Sequence, residues 1–246
     1  MRKMKKFEIK IHDGPARLGI IDGIETPTII DYRKIDFARD QPTPYNVPIE
    51  IAKWSVKETI KNAQPSRNEY AVIHGAKYLD LRVKCAMELE NIGFKKLIIA
   101  NGDELLTKPM DLVRLVVKIR ESIKPDTILC FPYAEPPFIP ILVYMGVDLF
   151  TDAICRFYSY LNILMTPNHS YQLDKYKIYE LDESELYNYN KETLDFVIRE
   201  VREHIKMGTL RNLVEEKAAT SPANMTALRI LDDEFQEYLQ KYTRLY

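Results

Sequence analysis

Cysteine is scarce: three residues, Cys85, Cys130 and Cys155, widely spaced and odd in number. That excludes a disulfide framework, and no C-x-x-C or Cys/His pair has ligand spacing, so no metal is expected. A reducing, cytoplasmic setting follows. Glycine is also scarce, at 8 residues, and none builds a Gly-rich phosphate loop. The dinucleotide folds and P-loop enzymes are therefore disfavoured, and no cofactor is implied. Net charge is missing too: 35 basic against 36 acidic residues leave −1, so no global basic field announces a nucleic-acid partner. Finally, no apolar run is long enough for a bilayer. The stretch "PPFIPILVYMGVDLF" is short and broken by prolines. The charged start "MRKMKK" lacks the apolar segment of a signal peptide and reads as a frayed, solvated end.

What remains is ordinary globular composition with a regular pattern. "FEIKIH" alternates as a strand should, and "RLGIIDGIETPTII" places Asp22-Gly23 between two apolar runs, a hairpin signal. From Asp31 to Arg67 four prolines leave a loop with one helix over Pro48–Asn62. Then strands and helices alternate: "YAVIHG", a helix ended by Gly93, "KKLIIANG", a helix with Pro109 in its first turn, "DTILCF", a helix ended by Gly146, and "VDLF". Such alternation predicts a parallel sheet covered by helices. A further strand is predicted in "KYKIYEL", followed by helices over Lys191–Met207, Thr209–Ala219 and Pro222–Tyr242. There is no internal repeat.

Each apolar strand ends in a small polar cluster: His74-Gly75, Asn101-Gly102-Asp103, Pro132 to Glu135, and Thr151-Asp152. In a (β/α) barrel these clusters would ring one mouth, where such folds keep their chemistry. A doubly wound sheet is the competing architecture.

Several segments carry a family resemblance. "AVIHGAKYLDLRVKCAMELENIGF" resembles a V-Q-G-G-x-x-x-D-L-R segment with its following helix, "MGVDLF" resembles G-V-D-[LM]-F-D, and "GIETPTII" resembles an early I-E-T-P strand. These are segments of the tRNA-guanine transglycosylase superfamily. With "DGPARLG" and "ALRILDDEFQEYL", the chain is similar above all to the transglycosylase-like N-terminal region of archaeosine synthases. The resemblance implies a TIM-type (β/α) barrel, incomplete or distorted because the Asp31–Arg67 stretch is short, with an N-terminal hairpin and C-terminal helices. It further implies a barrel domain over residues 1–185 and a helical extension over 186–246.

In active relatives an aspartate attacks the sugar C1′ and displaces guanine, because an oxocarbenium-like centre needs an ionised carboxylate nucleophile. Here Thr151 stands at that position and Asp152 follows it. Asp152 is either a displaced nucleophile or an N-cap for the next helix, and the cap is the cheaper reading. The resemblance assigns base binding to His74, in place of the family's glutamine, with Gly75, Asn101, Gly102 and Asp103. For Asn101 to Asp103 a tight turn is an equally good reading. Asp80 and Arg82 match the family's D-L-R, but at a helix start they read as a first-turn acid and a surface base. Asp148 reads as structural. The family's Cys/His zinc site and its remaining aspartates have no trusted counterpart; Asp36 and Asp40 are the local candidates. The 16 tyrosines include a dense group in "YKIYELDESELYNYN", either a stacking surface or a half-buried strand with an exposed loop.

Three functions stay open at this point. One is a partner-dependent subunit of archaeosine formation, with tRNA, a pathway enzyme or a second copy as partner. Another is base exchange through Asp152, and the third is a small-molecule barrel unrelated to tRNA.

Overall fold

The computed structural model describes residues 7–65 and 67–241, so the "MRKMKK" run and the predicted helix end at Tyr242 lie outside the described residues. Five parallel strands form one sheet in the order Thr28–Ile30, Leu149–Thr151, Ile128–Phe131, Lys96–Ile99, Tyr70–Ile73. Counted along the chain the order is 1-5-4-3-2. Strands 3 to 5 are each laid beside their predecessor, and the first lies against the last. At the Tyr70–Ile73 edge an isolated parallel bridge joins Phe37 to Tyr70. There the Ala38 amide donates to the Tyr70 carbonyl at 2.8 Å.

The strands are apolar because both faces are covered. Successive side chains alternate between faces. Ala71, Ile73, Leu97, Ile99, Leu129, Phe131 and Phe150 join the large core under the helices. Tyr70, Ile98, Ile128, Cys130 and Leu149 join a second core with Ile21 of the N-terminal strands and with Phe7, which precedes them. That N-terminal meander, Glu8–Asp13, Ala16–Ile21 and Ile24–Thr26, is antiparallel. Its predicted turn is present, with φ 51° at Asp22 and 83° at Gly23, the positive pair a type I′ turn requires.

The helix Ile49–Asn62, the three crossover helices Leu79–Asn91, Pro109–Ser122 and Ile139–Tyr144, and the strands they follow agree with the pattern read from the sequence. Further on, three expectations need correcting. "KYKIYEL" is not a strand: Leu173–Tyr176 is a helical turn, Lys177 is left-handed, Ile178 to Glu180 are exposed, and Leu181 alone packs on Leu173 and Leu186. The hairpin lies earlier, pairing Ile163–Met165 with Ser170–Gln172, where Leu164 packs on Leu173 and Leu186. Alternation in "KYKIYEL" had no apolar surface to face. The next helix starts at Glu183 rather than Lys191 and runs to Met207. Asp182 accepts from the Ser184 and Glu185 amides while Glu185 accepts from the Asp182 amide, a capping box. The final helix breaks at Phe235 into Pro222–Glu234 and Gln236–Lys241.

The long helix Glu183–Met207 packs directly against strands of the N-terminal meander and the first parallel strand, and the later helices pack on the crossover helices. Arg202 donates to the Glu25 and Pro27 carbonyls, Asn224 to the Pro137 carbonyl, and Tyr238 to the Met145 carbonyl. No described helix is long and apolar enough to cross a membrane.

Candidate functional site

Strand order brings the predicted site residues along one rim, because all five strands point the same way. The rim begins at His74, just past the Tyr70–Ile73 strand. Its Nε2 lies 2.7 Å from Oδ2 of Asp40, and the ring is buried. Gly75 follows at φ 147°, where a Cβ would sit 2.7 Å from both Cγ and the amide nitrogen of Arg82. A glycine is needed here for close approach.

Arg82 itself overturns the surface reading: it is 0% exposed. Its guanidinium turns inward and donates to the carbonyls of Ala76 at 2.7 Å, Ala100 at 2.8 Å and Ile73 at 3.4 Å, and to Oδ1 of Asn101 at 2.8 Å. One fork thus gathers the ends of two neighbouring strands. Among the described residues no carboxylate pairs with it, and burial lowers its pKa to about 10. The group remains charged at neutral pH. A three-residue spacing at a helix start could not reveal this, because the carbonyls that hold Arg82 come from other elements. Asp80, by contrast, is the exposed first-turn acid expected.

Asn101 adopts the left-handed conformation, φ 58°, and its Nδ2 donates to the Thr43 carbonyl at 3.1 Å. Its side chain therefore belongs to the scaffold of the rim. Gly102 opens the short helix Gly102–Leu106, and a Cβ there would meet Phe131 at 3.2 Å and Tyr133 at 3.5 Å. Asp103 is exposed, and with Glu135 it adds to the burial that holds the Tyr133 hydroxyl above its usual pKa. Tyr133 stacks edge-on with the half-exposed Phe157, ring centroids 5.9 Å apart. Beside them Tyr158 donates to Glu135, which also accepts from Ser170 of the late hairpin.

Thr151 and Asp152 complete the rim, both buried to 2% exposure. The Thr151 hydroxyl donates to the Pro132 carbonyl and accepts from the Ala153 amide at 3.2 Å. That makes Thr151, and not Asp152, the capping side chain: Asp152 holds the N-cap position but its carboxylate makes no cap bond. Instead Oδ1 accepts from the Tyr32 amide at 2.9 Å and Oδ2 from the Tyr187 hydroxyl at 2.8 Å. Burial, then the Asp152 carboxylate, raise the Tyr187 pKa, so the phenol stays a donor. Asp152 joins the first parallel strand, the fifth and the long C-terminal helix. No sequence pattern near Asp152 pointed to Tyr32 or Tyr187. The densely tyrosine-rich stretch in fact sends one of its members into the rim, while Tyr176 and Tyr179 are exposed.

Asp148 lies at the opposite end of the same strand. Both its oxygens take Arg17 at 2.7 Å, and Oδ2 also accepts from the Leu129 amide at 2.9 Å. Its structural reading stands. Asp36, the other local acid, bonds the exposed Asn68 side chain.

Among the described residues no group of three or more His, Cys, Asp or Glu side chains could hold a metal ion. Burial raises the Cys85 thiol to about 12 and the other two thiols further, so all three are neutral packing groups. The superfamily's zinc site does not fit these residues.

Comparison with known proteins adds the family. The chain is 34% identical over 219 residues to archaeosine synthase of Methanocaldococcus jannaschii, covering 85% of this chain and 36% of that protein. It is 28% identical to tRNA-guanine(15) transglycosylase of Thermococcus kodakarensis, over 95% of this chain and 46% of the relative. It is 26% identical to archaeosine synthase subunit alpha of the same organism, over 96% and 43%. The chain thus spans less than half the length of these relatives. Residues 34–189 match the queuine tRNA-ribosyltransferase model. With that match across the rim and the strands that carry it, the chain belongs to the queuine tRNA-ribosyltransferase family.

Proposed function

We propose that this protein is a transglycosylase-like component of archaeosine (7-deazaguanine) tRNA modification that does not exchange bases alone and acts with a partner. The observation that carries this is the end of the Leu149–Thr151 strand. Where the family's nucleophile belongs stands Thr151, its hydroxyl bonded to Pro132 and Ala153. The neighbouring carboxylate has one oxygen on the Tyr32 amide and the other on the Tyr187 hydroxyl. A nucleophile needs a free oxygen lone pair aimed at the sugar, and a carboxylate held by two donors is a weaker one. The names of relatives support the pathway, and the name "subunit alpha" supports a partner.

We read the sheet as a (β/α) barrel of the transglycosylase type opened between its first two strands, since the 1-5-4-3-2 order is that of a ring. Residues 1–185 are the barrel, and 186–246 a helical extension whose apolar face shares its core. The rim from His74 through Asn101, Gly102 and Asp103 would hold a base. Tyr133 and Phe157 would flank it, and a cytoplasmic setting suits its free thiols.

The test is incubation of the purified protein with radiolabelled guanine and unmodified tRNA, alone and with an archaeosine-pathway enzyme. No incorporation alone, together with co-purification of the two proteins, is expected. A covalent tRNA adduct that survives a denaturing gel and disappears in Asp152→Ala would overturn the reading and make Asp152 the nucleophile.

A further inference from the structure

The short segment between the first two parallel strands carries Asp40, and Asp40 meets His74 at 2.7 Å. A carboxylate only accepts, so Nε2 of His74 carries the shared hydrogen. In the neutral ring Nδ1 is then a bare acceptor. Nδ1 is buried and, among the described residues, without a hydrogen-bond partner. Buried polar atoms rarely go unpaired, and exceptions point to strain, catalysis or an absent partner molecule. A second such atom, Oγ1 of Thr43, lies in the same segment, whose carbonyl at Thr43 receives Asn101. Asn101 in turn receives Arg82, which also donates to the Ile73 carbonyl next to His74. The two unpartnered atoms therefore belong to one connected part of the rim.

We propose that Asp40 is a positioning residue that locks His74 as its Nε2–H tautomer, so that Nδ1 reads an N–H edge of a purine-type base. This rests on the base-binding reading above. A glutamine at this place would offer both a donor and an acceptor. The locked imidazole offers an acceptor alone, and it selects ligands that donate. Guanine-type bases do so through the ring N1–H and the 2-amino group. Because Nδ1 has no exposed surface in the free protein, the base reaches it through a shift of the segment at Thr43 that leaves the Asp40–Nε2 contact in place.

Long-range proton–nitrogen NMR of the ¹⁵N-histidine protein at neutral pH tests this directly. The expected spectrum has a protonated Nε2 and an unprotonated Nδ1 at His74. Guanine should move the Nδ1 resonance upfield, as accepting a hydrogen bond does, whereas caffeine, which has no N–H, should leave it in place. Asp40→Asn, whose carboxamide can donate to Nε2, should reverse the tautomer and weaken guanine binding roughly tenfold or more, the loss of one buried hydrogen bond. A protonated Nδ1 in the unmutated protein overturns the inference whether or not the variant folds. Guanine that binds without moving Nδ1 also overturns it, and leaves the base-binding reading intact. Failure of guanine to bind at all sinks that reading together with the ligand assigned here, even if the tautomer is as expected.

Discussion

Arg17 and Arg82 are both buried guanidiniums, one at each end of the same sheet, and they are satisfied in different ways. Arg17 makes a bidentate pair with Asp148 and also reaches the Pro125 and Thr127 carbonyls, below the strand that begins at Ile128. Arg82 has only carbonyls and an amide oxygen above the ends of two strands. Neutral acceptors satisfy the fork of N–H groups but leave its charge uncancelled. The lower end of the sheet is thus closed by Asp148 between Arg17 and Arg120, whereas at the rim Arg82 has no carboxylate partner among the described residues. The rim also holds the buried carboxylate of Asp152, which is likewise satisfied by neutral donors, the Tyr32 amide and the Tyr187 hydroxyl. The difference separates a structural end of the fold from a candidate binding end without appeal to any cavity.

The largest effect should come from breaking the lower pair. Asp148→Ala strands Arg17 as an unpaired buried charge, and urea unfolding should register a loss of about 3–5 kcal/mol. The joint replacement Arg17→Met with Asp148→Leu should recover most of it. If the single and double variants lose equally, the pair is not what closes that end.

Next comes Gly75→Ala. The added methyl would lie 2.7 Å from Arg82 at a φ of 147°. Strain plus overpacking should cost roughly 2–4 kcal/mol. Gly23→Ala is the control: it also has positive φ, but nothing lies within 4 Å of its Cβ position, so it should cost less. Equal losses would mean that the approach to Arg82 is unimportant.

Asp152→Ala ranks third. It leaves the Tyr32 amide and the Tyr187 hydroxyl without their acceptor, worth about 1–2 kcal/mol in thermal or urea unfolding. A double-mutant cycle with Tyr187→Phe should be clearly non-additive, because both changes remove the same bond.

The smallest effect is a pH dependence. Tyr158 and Tyr187 have raised pKa values, chiefly from burial and then from their carboxylate partners Glu135 and Asp152. A raised folded-state pKa means that the native state holds its proton more tightly than the unfolded chain. Stability from these groups is complete below the ordinary tyrosine value of 10.0 and is lost as pH rises through the folded-state pKa. The urea midpoint followed upward from pH 8 should decline above about 10, and the Tyr158→Phe, Tyr187→Phe double variant should decline less steeply.

Much of the fold was legible because it is written in local signals. The positive-φ pair at Asp22-Gly23, the apolar runs at Tyr70–Ile73, Lys96–Ile99 and Ile128–Phe131, and Pro109 at a helix start act within a few residues. The capping box at Asp182 and Glu185 was equally local and went unread because the tyrosines around it suggested a strand and loop. "KYKIYEL" misled for a different reason: alternation predicts a strand only where a sheet edge and an apolar face await it. The site was legible as a set of positions but not as a set of contacts. His74, Asn101, Gly102, Thr151 and Asp152 do fall on one rim. Of their partners, Asp40 and Arg82 stood out in the sequence without their contacts, and Thr43, Pro132, Tyr32 and Tyr187 did not stand out at all.

By itself the sequence determined the succession of strands and crossover helices, the absence of a phosphate loop, and the family, since motifs and turn chemistry are short-range properties. Only the tertiary structure decided that Arg82 is buried, that Asp152 is a tether and not a helix cap, that Asp40 holds His74, and that Asp148 faces Arg17. Those facts depend on which strand ends lie side by side, and Arg17 and Asp148 are 131 positions apart in the chain. A charged side chain reads the same in sequence whether it meets water or a buried partner, and the choice is made by what folding brings beside it.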